Sequence, residues 1–208
     1  MILPNYTRSE VTMNSYLRGG SWWASLGLVL TIASCEPSYE ELVQAELSRG
    51  YRYDSVVYGV RLGMNYEAFT RYCFEQNQRG VFKPNATGNA VQVTWAEGFG
   101  FPVQFEFFPA EVTDKFAPIH AYQASVRYRD YSLYNPDMAL EHLLPETLAF
   151  FERGYGGRDF LRVPHDDPWI NYRYVKVDGN RQITVTPTHA AAELTIHIED
   201  LSPLSACQ

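Results

Sequence analysis

From Ser55 to Leu62 the chain alternates, with Val56, Tyr58, Val60 and Leu62 set against Ser55, Val57, Gly59 and Arg61; this period of two predicts a strand closed by Gly63. Asn65 then offers an N-cap to a helix over Tyr66 to Gln78, in which Phe69, Tyr72 and Cys73 fall at i, i+3 and i+4 and Gly80 ends the run. After the turn-rich Pro84 to Asn89, Val91, Val93 and Trp95 lie on one face of a strand. Gly98-Phe99-Gly100 reverses the chain into Val103, Phe105 and Phe107, so the two runs form a hairpin. A longer strand places Tyr122, Ala124, Val126 and Tyr128 against polar Gln123, Ser125, Arg127 and Arg129, as in a sheet covered on one side. Asn135 and Pro136 open a second helix with Leu140, Leu144, Leu148 and Phe151 as its apolar stripe. Pro145 within it is expected to kink or split it, because its ring clashes with the preceding turn and it lacks the N–H. Trp169 to Val177, Arg181 to Thr186 and Ala192 to Glu199 read as three more strands, the first two joined by Asp178-Gly179-Asn180.

The order of strand, helix, two strands, then strand, helix, three strands predicts an α+β fold: antiparallel β-sheet meanders with two main helices packed on one face. In element order it loosely resembles the duplicated helix-plus-meander architecture of beta-lactamase-inhibitor-like and small outer-membrane-assembly lipoprotein domains. The resemblance rests on order alone and transfers no functional residue. It implies a globular domain over residues 51–208 in two related parts, 51–130 and 131–208.

The N-terminal third carries an address. Arg18 precedes an apolar run of about 13 residues from Trp22 to Ser34, long enough for the core of a signal peptide and shorter than the roughly 20 needed to span a bilayer. Its end, Ile32-Ala33-Ser34-Cys35, resembles the lipobox of bacterial lipoproteins: an aliphatic residue, two small residues and a cysteine. That resemblance implies recognition of Ile32, Ala33 and Ser34 by a signal peptidase, cleavage before Cys35, and a covalent lipid on the Cys35 thiol, where two or more acyl chains hold a domain stably on a membrane. Glu10 suits a signal peptide's basic start poorly, so translation is expected to begin at Met13, with residues 1–34 removed. Residues 35–50 read as the lipid-anchored tether. Glu36-Pro37-Ser38-Tyr39-Glu40-Glu41 makes its start acidic, and a short helix is expected over about Glu40 to Ser48.

Composition narrows the partners. Seventeen Lys and Arg against 24 Asp and Glu give a formal charge of −7, the wrong sign for a protein that neutralises phosphates, so nucleic acid is not expected as a partner. Cys73 shares the apolar helix face with Phe69 and is expected to be a buried free thiol rather than half of a disulfide with Cys207.

Chemistry is sparse. His120, His142, His165, His189 and His197 are scattered without metal-ligand spacing, and no nucleotide loop or nucleophile turn is present, so neither a metal nor any cofactor beyond the Cys35 lipid is expected. His165-Asp166-Asp167 is the best polar cluster, with carboxylates beside an imidazole that suit a cation or proton transfer; Asp before Pro168 equally makes a turn, which is the expected reading. The 15 tyrosines are unusual, and Tyr128, Tyr131, Tyr134 and Tyr155 would form a platform for sugar faces or a partner protein if they met in solvent. The functional expectation is a lipid-anchored envelope protein acting by binding to an envelope protein or a glycan. The alternatives are a small-ligand or glycan receptor with an aromatic groove, and an envelope hydrolase of glycan or peptide. The hydrolase requires convergence among His165, Asp166, Asp167, His142 and Glu141.

Overall fold

Alternation of apolar and polar side chains runs through most of the longer strands, and antiparallel pairing collects the larger part of the apolar side chains onto one surface. The computed structural model describes residues 37–167, 170–188 and 192–202. Helix α1 (Tyr39–Ser48) and helix α2 (Tyr66–Gln78) precede strands β1 (Lys83–Pro84), β2 (Val91–Trp95), β3 (Val103–Pro109) and β4 (Ala121–Tyr128). A 3-10 turn (Pro136–Met138) leads into helix α3 (Leu140–Gly154) and strands β5 (Leu161–Pro164), β6 (Tyr172–Asp178), β7 (Arg181–Pro187) and β8 (Glu193–Asp200). All eight strands form one antiparallel sheet in the order β1-β2-β3-β4-β8-β7-β6-β5. Read outward from the β4–β8 seam, each half is a four-strand meander preceded by a helix. The fold is therefore α+β, and the helix-plus-meander order occurs twice.

Register explains the core. Phe105 pairs with Val126, and Val126 with Leu194 across the seam, so these side chains share a face with Phe107, Tyr122, Ile183, Val185, Ile196 and Ile198. Against that face lie Phe69 of α2 and Leu143 and Phe151 of α3. Burying one such large side chain contributes roughly 1.5–3 kcal/mol. Behind the second meander the opposite face is covered too. Val175 and Val177 of β6 pack with Leu42 and Val43 of α1 and with Leu201, and the Tyr39 hydroxyl donates to Gln182 Oε1 at 2.9 Å. Residues 39–48, assigned to the tether from sequence, are thus a helix docked on the sheet. Ser38 caps that helix reciprocally with Glu41.

Three local expectations are corrected. Residues 55–62 are not a strand but a tight reversal: Val56 and Val57 are both buried although adjacent, because Tyr58 and Gly59 take positive φ (47° and 81°) and turn the chain back on itself. In the second helix the most deeply buried positions are Leu143, Thr147 and Phe151, with Leu140, Leu144 and Leu148 half-buried beside them. Pro145 does not split α3. It sits little more than one turn from the start and forfeits a single backbone bond; the break falls earlier, at extended Ala139, between the 3-10 turn and the helix. The edge strands β1 and β5, two and four residues long, were missed because so few positions carry no period.

Candidate functional site

The reversal at Val57-Tyr58-Gly59-Val60 is a two-residue turn closed by the Val60 N–H donating to the Val57 carbonyl at 2.8 Å, with both central residues at positive φ as a type I′ turn requires. Glycine meets that requirement without cost, whereas tyrosine does not. What holds Tyr58 there is contact. The Tyr72 hydroxyl donates to its carbonyl at 2.5 Å, and its ring lies near Phe82 and offset over Trp95. Burial raises the Tyr58 hydroxyl above its ordinary pKa, with a smaller opposing effect from Trp95.

Two residues from the other half of the molecule clamp the start of this loop. The Arg181 guanidinium donates to the carbonyl and the hydroxyl of Ser55, each at 2.7 Å, and to Asp178 Oδ2 at 2.7 Å. The Tyr155 hydroxyl donates to the Val56 carbonyl. Arg181 also lies 4.3 Å from the centre of the Tyr155 ring. Burial pushes the Tyr155 hydroxyl up to about 12, against a lowering effect of Arg181, so it remains a donor throughout the physiological range.

Between this loop, the end of β2 and the last turn of α3 lies a cleft of about 470 Å³. Val56, Val57, Tyr58, Trp95, Phe150 and Tyr155 supply its apolar wall, with Glu97 and Arg153 as its charged members. Trp95 is the fixed part of that wall: its ring is stacked between Phe105 and Phe150, with centroids 4.2 Å away on each side. Both indole faces are therefore covered. The Arg153 guanidinium lies against Gly98, where a Cβ would collide with it. Among the described residues the side chains of Glu97 and Arg153 make no hydrogen bond or ion pair, with each other or with any third group. The volume and the mixture of apolar wall and few polar groups are those of a small-molecule site.

A second groove, about 420 Å³, runs between α2 and β1–β3. Phe74 at 61% exposure, Phe108 and Val112 line it with Cys73. Cys73 is a free thiol whose pKa burial raises to about 12, so it behaves as a small hydrophobe, as its place in the helix pattern suggested.

The residues singled out from sequence fare differently. His165 and Asp167 meet in a turn, where the Asp167 N–H donates to His165 Nδ1 at 3.0 Å and Asp166 is exposed. None of His165, Asp166, Asp167, His142 and Glu141 lines either cleft, and among the described residues no group of three His, Cys, Asp or Glu side chains could hold a metal ion. The tyrosine platform does not form. Tyr128 is buried, with its hydroxyl donating to Glu146 Oε2 at 3.1 Å, Tyr131 and Tyr155 are half-buried, and Tyr134 stands alone in solvent. Ile32, Ala33, Ser34 and Cys35 lie outside the described residues, as does Cys207.

The chain matches no family model, no curated protein and no solved structure. Among the described residues no helix is long and apolar enough to cross a membrane.

Proposed function

We propose that this chain is a bacterial cell-envelope lipoprotein, anchored through a lipid on Cys35 and acting by binding, with the cleft between Tyr58 and Arg153 as its binding site. Support for the anchor is the order of basic residue, apolar run, small residues and cysteine in Arg18 to Cys35. Support for the site is one observation: a preformed apolar cleft whose strained wall is held by the buried Arg181 clamp. Strain at a turn persists where surrounding structure over-determines it, and ligand clamps are where such turns gather. Detergent-phase partitioning tests the anchor: the native protein is expected in the detergent phase and a Cys35→Ser variant in the aqueous phase. Partitioning of the native chain into water with a free Cys35 thiol defeats it.

A second reading, docking of an envelope protein, is favoured by the groove beside α2, where Phe74 stands largely in solvent next to Phe108 and Val112. Under that reading Phe74→Glu abolishes co-purification of an envelope protein, while Arg153→Gln leaves it unchanged.

A further inference from the structure

We infer that the cleft takes a small zwitterion with an apolar body, the chemistry of an aromatic amino acid or a short dipeptide; this rests on the reading of the cleft as the binding site. Two features of the lining lead there, its charges and its aromatic rings. The lining carries one cation and one anion, Arg153 and Glu97, and no ion pair joins them, so each retains its hydrogen-bonding capacity for a ligand. A ligand carboxylate matches the planar fork of Arg153, and a ligand ammonium matches Glu97.

The rest of the lining sets the body of the ligand. Tyr58, Phe150 and Tyr155 are three aromatic rings around a space of about 470 Å³, ample for one aromatic side chain or two smaller ones. With Phe105 and Phe150 covering both faces of Trp95, a ligand ring meets the indole edge-on rather than stacking on it. A pure anion of the same shape would meet Glu97 unpaired, and a pure cation would meet Arg153. Glu97 and Arg153 are both exposed, so each mismatch costs the charged hydrogen bond that the ligand fails to make.

The test uses the full chain in detergent and four probes: L-phenylalanine, the dipeptide Phe-Leu, phenethylamine, which lacks the carboxylate, and N-acetyl-phenylalanine amide, which lacks both charges. Calorimetric titration is expected to show L-phenylalanine or Phe-Leu binding about ten-fold or more tightly than either of the other two, the scale of a charged hydrogen bond. The stronger of those two arms tells a free amino acid from a peptide. Arg153→Gln is expected to reduce zwitterion binding to the level of phenethylamine without changing phenethylamine itself, and circular dichroism checks that the variant folds. If the neutral amide binds as tightly as L-phenylalanine and Tyr58→Asn weakens it, the zwitterion assignment falls and the cleft remains a binding site. If none of the four probes binds, both fall.

Discussion

Arg181 donates two hydrogen bonds to Ser55, 126 residues earlier in the chain, and a third contact to Asp178 makes it the hinge pin between the first loop and the second meander. The side chain is almost wholly buried, at 2% exposure for the residue, and its charge is balanced by a single carboxylate that is also buried. Its location decides two things together: the path of the chain into the Tyr58 turn and the placement of Tyr155, whose ring the guanidinium covers.

Arg181→Met is accordingly expected to cost about 3–5 kcal/mol, because it strands the Asp178 carboxylate without its cation. Urea denaturation followed by circular dichroism checks this. The double variant Arg181→Met with Asp178→Leu is expected to recover part of the loss, since no buried charge remains; a double variant less stable than the single one would show that the Ser55 bonds, and not the ion pair, dominate.

Gly59→Ala is expected to cost about 1–3 kcal/mol, combining a left-handed backbone at φ 81° with a collision between the new methyl and the Tyr72 hydroxyl. Gly50 has a similar φ of 69° but open space around it, so Gly50→Ala serves as the strain-only control and is expected to cost less. Equal shifts in thermal midpoint for the two would remove Tyr72 from the account.

His197 and Glu199 on β8 face each other with Nε2 and Oε2 3.6 Å apart. Glu199 raises His197 above its ordinary 6.5, and His197 with Gln182 holds Glu199 below 4.5. The histidine contribution is complete below 6.5 and disappears as pH rises through its folded value. The glutamate contribution is complete above 4.5 and disappears as pH falls through its folded value. Between these limits the pair stabilises the fold, by about 0–1 kcal/mol because both side chains are about a third exposed. His197→Gln is expected to flatten the neutral arm of a stability–pH profile, and a nuclear magnetic resonance titration of His197 is expected to give a value above 6.5.

Cys73, with its thiol pushed up to about 12, is expected to react with iodoacetamide at pH 8 far more slowly in the folded protein than in urea, because only the thiolate attacks. Peptide mapping separates it from the other cysteines. Equal labelling in both conditions would mean that the α2 face opens readily.

Much of the sheet was legible in the sequence because strands β3, β4 and β8 bury alternate residues, and a period of two survives where one face is the more deeply covered; β7, buried along its first five residues, was legible from the alternation of residue type in Ile183, Thr184, Val185 and Thr186. The α2 boundaries were legible for a similar local reason: Asn65 caps the helix, its side-chain Oδ1 accepting from the Ala68 N–H at 2.8 Å, and positive-φ Gly80 ends it. Where local pattern misled, a distant partner had intervened. Val56, Val60 and Leu62 are buried as a strand pattern implies, yet Tyr72, Arg181 and Tyr155 pin this stretch into a turn.

The amino-acid sequence alone determined the α+β class, the principal strands, the α2 caps and the order of basic residue, apolar run, small residues and cysteine in Arg18 to Cys35, all of which depend on neighbours within a few residues. Only the tertiary structure decided that α1 docks behind β6, that Tyr128 turns inward to Glu146, and that Tyr58, Trp95, Glu97, Arg153 and Tyr155 surround one cleft. Trp95 and Glu97 sit at the end of a strand in the first meander, and Arg153 and Tyr155 at the end of the helix that opens the second. Their meeting follows from antiparallel register across the β4–β8 seam and from the Arg181 clamp, and neither leaves a trace in the spacing of residues along the chain.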